Sequence, residues 1–239
     1  MIDATELARG VYRISIWNEP LIADMSFPDS SYNMFLVAGE QPAIINTLFR
    51  RTFTMARDKI AEIINPARLR YVIVPHHEGD SSGAVNEWLA AAPRAEALCS
   101  QLCALLSLRD FAFRPPTVVA DGELRDIGNH RLRFLMTPQV NQWDSLMVFE
   151  EVTGTLFSND LFSMPGVEIA TDRYLIDECL KSTREVGYQP DDRARLDQTL
   201  DKIEPLRIKT IAVMHGPAIT GHVPQLLRAF RDRSLRAEI

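Results

Sequence analysis

Three side chains able to hold a metal ion, His76, Glu78 and Asp80, stand at alternate positions directly after the apolar run Val72-Ile73-Val74-Pro75. One imidazole with two carboxylates is a donor set suited to iron, manganese or zinc. A spacing of two in extended backbone sends side chains to one side, so the three are expected to converge just past a strand end. Ser81-Ser82-Gly83 then opens a helix, and a strand-to-helix junction is where layered α/β proteins place their sites. The same grammar recurs twice. Gly154-Thr-Leu-Phe-Ser-Asn-Asp160 and Ile211-Ala-Val-Met-His215 each end an apolar strand on a potential ligand, and Asn141 and Gln142 fall at a comparable strand end. Taken alone, His-x-Glu-x-Asp is also the composition of a solvated loop. His76 and His215 could each be an isolated polar residue, and Ser81 could serve as a helix N-cap without any metal.

The elements that must position these residues are legible as periodicities. Val11–Trp17 alternates apolar and polar residues as a half-buried strand does. Asn33–Val37 and Ala43–Asn46 are short apolar runs parted by the turn Gly39-Glu-Gln-Pro42. Between Thr52 and Ile64 the period becomes helical, and Asn65-Pro66 ends that helix. Arg70–Val74 is the strand feeding the first cluster, and Gly83–Ala92 is expected to be one helix. Next come a strand near Ala97, a helix over Ser100–Leu106, and strands at Thr117–Ala120, Arg131–Met136, Leu146–Phe149 and Thr155–Ser158. Helices over Asp172–Val186 and Asp191–Ile203 follow, divided by Gly187 and Pro190. The strand Thr210–Val213 delivers His215, and Val223–Arg231 closes the series as an amphipathic helix. Strands interleaved with helices throughout, without repeat or linker, predict one layered α/β domain over residues 1–239.

Composition excludes several classes of partner. The chain has 239 residues, 46% of them hydrophobic, and a formal charge of -6, which gives no general electrostatic reason to bind nucleic acid or an anionic membrane. Arg228, Arg231, Arg233 and Arg236 gather near the end but are interrupted by Asp232 and Glu238, as on a solvated helix face. No apolar run approaches the roughly 18–20 residues needed to span a bilayer, and the first residues lack the pattern of a signal peptide. Cys99, Cys103 and Cys179 make no paired framework; the first two read as small buried hydrophobes. A cytoplasmic location is expected.

In order and context these segments resemble the metallo-β-lactamase superfamily, and within it the diiron domain of flavodiiron proteins and their stand-alone relatives, the oxygen-binding diiron proteins. The resemblance rests on Val11-Tyr12, Tyr32-Asn-Met-Phe-Leu-Val37, Ala43-Ile-Ile-Asn-Thr47, His76-x-Glu78-x-Asp80, Trp143-Asp144-Ser145, Gly154–Ser158 with Asp160, and His215-Gly216-Pro217. Glu78 discriminates, because hydrolases of the superfamily usually carry His there. The resemblance implies a four-layer αββα sandwich. It implies His76 and Glu78 as ligands of a first metal, Asp80 and His215 as ligands of a second, and Asp160 as the bridge between them. Two departures stand out. Ser81 occupies a position that is usually His, and Gln142 or Asn141 stands where the family has His before Trp143. An amide oxygen is a poorer donor than imidazole, so the first metal position is expected to be weak or empty. Trp143 is expected in the pocket wall. Asp144 is expected either to bond a ligand or to serve a turn, and His77 to point away; His130 and His222 are given no role.

The implied activity is that of a non-haem diiron protein binding or reducing dioxygen or nitric oxide. Two irons are implied, with zinc or manganese as alternatives. Reductases of this branch carry a flavodoxin-like domain, so this chain would draw on an external electron donor. A homodimer is compatible with the branch. Two other readings stay open: a metal-dependent hydrolase on the same fold, and a non-catalytic member with a partial site.

Overall fold

The computed structural model describes residues 1–17, 20, 30–167, 175–185 and 193–234. Seven strands form one sheet in chain order: β1 (Ile2–Ala8), β2 (Val11–Trp17), β3 (Ser31–Val37), β4 (Ala43–Ile45), β5 (Tyr71–Val74), β6 (Glu96–Cys99) and β7 (Thr117–Val118). The first four pair antiparallel. From β4 onward the pairs are parallel, and helices fill the crossovers. These helices are α1 (Phe53–Ala61), α2 (Gly79–Ser82), α3 (Val85–Ala91) and a rod made of α4 (Gln101–Cys103), a π-helical turn (Ala104–Leu108) and α5 (Arg109–Phe111). The second sheet holds β8 (Leu124–Asp126), β9 (Arg131–Met136), β10 (Leu146–Glu150), β11 (Thr155–Asn159), β12 (Thr210–Val213) and β13 (Ile219–Thr220). Its outer face carries α6 (Leu175–Glu185), α7 (Arg193–Ile203) and α8 (Val223–Ser234).

Strand parity builds the layers. On β4 and β5, Ala43, Ile45, Tyr71 and Ile73 point between the sheets and meet Phe134, Leu146, Val148, Phe157 and Ala212 of the second sheet. Their neighbours Ile44, Val72 and Val74 face the other way, onto Ala56, Ile60, Val85, Trp88 and Leu89 of the helices. Leu156, Ile211 and Val213 do the same beneath Leu200, Ile203, Leu226 and Phe230. Both central strands are therefore apolar on both faces, as parallel strands covered by helices must be. Three buried layers between four structural layers make the αββα sandwich that the resemblance implies.

Several expectations need correction. Ile2–Ala8, Leu124–Asp126 and Ile219–Thr220 are strands that the periodicity does not reveal. All three lie at sheet edges or ends and are only partly buried, so they carry little apolar alternation. The single helix expected over Gly83–Ala92 is two helices, and the first already begins at Gly79. A Cβ on Gly83 would lie 2.2 Å from the carbonyl oxygen of Gly79, so only glycine fits the junction. The rod after Ser100 runs on to Phe111, past the expected end. Gly187, Pro190 and Arg236, with the ends of the two helices around Asp172 and Asp191, lie outside the described residues. Among the described residues no helix is long and apolar enough to cross a membrane.

Candidate metal centre

The residues singled out for chemistry stand at the ends of β5, β11 and β12, on one rim of the sandwich. Pro75, just past β5, accepts a hydrogen bond from the amide of Leu146 at the start of β10 (3.0 Å). Sheet-to-sheet contact thus begins where the site begins. His76 is fully buried, His77 is exposed, and Asp80 is 7% exposed. The convergence is not produced by an extended pleat, as the spacing suggested. Glu78 is the last extended residue, with φ −104° and ψ 163°, and Asp80 lies in the first turn of α2. A bend at Glu78 followed by a helical turn brings the three together. One ligand atom from each of His76, Glu78 and Asp80 lies within 4.8 Å of the others.

The second sheet supplies the rest. Asn159 ends β11 in the left-handed region, with φ 59°, and turns Asp160 inward. The Nε2 of His76 is 3.2 Å from Oε2 of Glu78 and 3.6 Å from Oδ2 of Asp160. The Nε2 of His215 is 3.4 Å from the other oxygen of Asp160, Oδ1, and 3.6 Å from Oδ2 of Asp80. Each oxygen of Asp160 therefore faces a different histidine. Separations of 3.4–3.6 Å are long for charge-assisted hydrogen bonds. They match the spacing of two donors on one cation, each at about 2.1 Å.

Both imidazoles are held by their far nitrogens. Nδ1 of His215 donates to the carbonyl of Ser31 (2.9 Å), which leaves Nε2 with its lone pair facing the carboxylates. Nδ1 of His76 lies 2.5 Å from the side-chain amide of Asn159, whose other terminal atom is buried without a partner. Turning that amide over would place its oxygen as acceptor for His76 Nδ1–H, which gives the same tautomer. Three carboxylates around two imidazoles form a strongly negative pocket. Burial opposes protonation of His76, yet Asp160, Glu78 and Asp80 outweigh it and hold its pKa up to about 9. His215 is likewise raised, with burial opposed by Asp160 and Asp80. Burial pushes Asp80 up to about 6 even though His215 pulls it down. Asp160 stays low because, despite burial, both histidines favour its charged form. Asp80 Oδ1 is buried and has no hydrogen-bond partner. A buried anionic oxygen without a donor is costly, and a cation is the natural complement for this donor set.

The two halves are tied together by residues the sequence reading passed over. The side-chain amide of Asn33, on β3, donates to the carbonyls of Val213 and Gly216 (2.9 Å each). Asn46, left-handed at φ 64° after β4, donates to the carbonyl of Asn33 (3.2 Å) and accepts from the hydroxyl of Ser81 (2.9 Å). Ser81 is therefore a link inside α2, and not an N-cap. A chain of buried amides joins the His215 loop to the Asp80 helix. Gly216, at φ 97°, passes so close to Met164 that a Cβ would sit 2.6 Å from its carbonyl oxygen. The usable sequence signal was Asn at the end of two apolar runs, since Asn tolerates the left-handed turn such ends require.

The remaining residues divide. The amide of Asn141 donates to Asp160 Oδ2 (2.6 Å), and that of Gln142 donates to Glu78 Oε1. Both readings of the replaced histidine thus reach the site. Trp143, expected in the pocket wall, is 68% exposed. The turn Gln139–Gln142, with Gln139 and Asn141 left-handed, sends its two amides inward and the indole out. Asp144 is buried, but its backbone carbonyl takes the hydroxyl of Ser100 (2.7 Å) and its Oδ2 has no partner.

A family model described as "ODP family beta lactamase" matches residues 30–216. The chain belongs to the ODP family. The match takes in all five candidate ligands and ends one residue past His215. Among curated ODP-type relatives, a Nostoc sp. (strain PCC 7120) protein named as a diflavin flavoprotein, A 1, is 31% identical over 212 residues. The alignment covers 86% of this chain and 36% of that protein. The nitric oxide reductase of Moorella thermoacetica is 28% identical over 240 residues, covering 90% of this chain and 57% of that protein. The chain thus spans about a third to somewhat over half of the length of these relatives. The flavodiiron protein from Giardia intestinalis superposes with a TM-score of 0.82 at 22% identity, over 98% of this chain and 59% of that one. At that identity the likeness shows the fold, and the fold is the ODP fold.

Proposed function

We propose that the chain binds or reduces a diatomic gas, dioxygen or nitric oxide, at a diiron-type centre held by His76, Glu78, Asp80, Asp160 and His215, with electrons from an external donor. The observation that carries this reading is the split of Asp160, one carboxylate oxygen toward each histidine. That is the arrangement of a carboxylate shared by two cations. Two curated relatives bear nitric oxide reductase names, which supports the choice of substrate class. Ferrous iron at these positions would supply the electrons that a bound diatomic accepts. The chain's own part is to hold and orient. Asn159 and Ser31 fix the histidine rings, the amide chain from Asn33 to Ser81 fixes the two loops, and the inter-sheet core excludes water from beneath.

Iron is the proposed metal, with zinc and manganese suited to the same donors. Glu78 makes the first position more anionic than a hydrolase site with His, which favours the redox reading over the hydrolase one. We also take residues 1–239 as one domain working in the cytoplasm on small ligands, with no nucleic acid or membrane partner; a homodimer fits the same reading. Anaerobic loading with ferrous iron tests the activity. Bound iron with a near-ultraviolet or visible band that changes on exposure to dioxygen or nitric oxide is the expected result. A protein that binds no iron, or that binds zinc and hydrolyses a generic ester while iron gives no gas response, overturns it.

A further inference from the structure

The two halves of the site are not equivalent. In the half made by His76, Glu78 and Asp160 Oδ2, the anionic oxygens already have donors: Gln142 on Glu78 Oε1, and Asn141 on Asp160 Oδ2. In the half made by Asp80, His215 and Asp160 Oδ1, no side-chain amide of the described residues is bonded to either carboxylate oxygen, and Asp80 Oδ1 is buried without a partner. The amides are placed by backbone. Gln139 N donates to the carbonyl of Gln142 (2.8 Å), Val140 N to that of Thr137 (3.1 Å) and Ser145 N to that of Gln142 (3.3 Å). Gln139 and Asn141 both take left-handed conformations to close this turn. Facing carboxylates, which only accept, each amide must present its NH2 group.

From this we infer that Asn141 and Gln142 make the centre bind its two cations unequally, with the first tight at Asp80, His215 and Asp160 Oδ1 and the second weak beside His76 and Glu78. A cation in the tight half finds an oxygen in need of a positive neighbour. A cation in the weak half would take Glu78 through Oε2, the oxygen that faces His76, and Asp160 through Oδ2, but both carboxylates already share their charge with the amides of Gln142 and Asn141, and position 142 offers no imidazole. Competition for that charge is expected to weaken binding by about tenfold. This inference rests on the metal-centre reading above and deepens it, since a site filled in two steps exists with a single metal over much of the concentration range.

The test is anaerobic equilibrium dialysis of the full chain against graded ferrous iron, with bound metal counted by elemental analysis and folding checked by circular dichroism. Expected is one equivalent held tightly and a second at least about tenfold weaker. In Gln142→His the second equivalent tightens while the first is unchanged, and in Asp80→Asn the tight equivalent is lost. Gln142→Ala, which removes the donor without adding a ligand, moves the second step toward the first by less than the histidine does. Two equivalents of equal affinity in the wild-type chain overturn the inference and leave the functional reading standing. An unchanged second step in both folded Gln142 variants also overturns it. Stepwise binding with no spectral response to dioxygen or nitric oxide supports the inference and sinks the functional reading alone, and no binding at all removes both.

Discussion

At the scale of single residues, buried amides set how the candidate ligands face one another. Asn33 is fully buried, and its NH2 group serves two carbonyls that frame His215. Replacing it with leucine, similar in branching but larger and without the donors, removes the hydrogen bonds to both carbonyls. A cost of about 2–4 kcal/mol is expected from two unsatisfied buried acceptors, read as a lower urea midpoint with unchanged slope. Because the same bonds hold the loop of His215, iron affinity should fall along with stability. A variant that loses stability and keeps iron affinity would show the amide to be merely structural. His76 and His215 were recognisable from the sequence as donors beyond strand ends. For Asn46 and Asn159 the sequence offered only a place at the end of an apolar run, and for Asn33 not even that, because an amide reads the same whether it faces water or a buried carbonyl.

At the scale of an element, the hairpin β10–β11 is fastened at the end away from the metal centre by Glu150. Its carboxylate, wholly buried, accepts from the amides of Arg131 (3.3 Å), Val152 (3.0 Å) and Thr153 (2.7 Å), and from the hydroxyl of Thr153 (2.5 Å). The Nδ1 of His130 lies 3.3 Å away. Burial alone would raise its pKa, but His130 and these donors bring it down to about 2 from an ordinary 4.5. A carboxyl group depressed on folding stabilises the fold above its unfolded pKa and loses that contribution as pH falls through the folded one. The stabilisation should therefore be complete above about pH 4.5 and vanish toward about pH 2. Expected for Glu150→Gln is a loss of about 2–3 kcal/mol at pH 7, shrinking steadily between these limits. Chemical denaturation of both proteins at pH 7, 4 and 3 measures it, and a difference that stays constant with pH would refute the assignment. This hairpin was legible in outline from the neighbouring apolar runs Leu146–Phe149 and Thr155–Ser158, whereas the burial of its closing carboxylate was not.

For the whole molecule, the site spans both sheets, so a cation bound there ties β5 of one to β11 and β12 of the other. Anything that binds only the folded state stabilises it, by about 2.7 kcal/mol at a hundredfold excess over the dissociation constant. Loading with ferrous iron should raise the melting temperature by several degrees, and a chelator should reverse the rise. The Asp160→Asn variant, which keeps the fold but weakens the shared carboxylate, should show little of it. An equal rise in that variant would place the bound ion elsewhere on the surface.

What the sequence determined by itself was the set of central elements and a group of candidate donors just past them. The central strands carry apolar residues on both faces because helices cover one and the opposing sheet covers the other, and that double burial is written in composition and period. His76, Glu78, Asp80, Asp160 and His215 could be singled out as candidates because each stands just past such a strand, and the resemblance groups them as one ligand set. Only the tertiary structure decided how they meet. The bend at Glu78, the left-handed turns at Asn46, Asn141 and Asn159, and the amides of Asn141 and Gln142 turned onto the carboxylates of one half are all settled by contacts between residues far apart in sequence. So is the exposure of Trp143. Local pattern reports which face of a strand is apolar; it carries no information on which distant hydrogen-bond partner will satisfy a buried polar group.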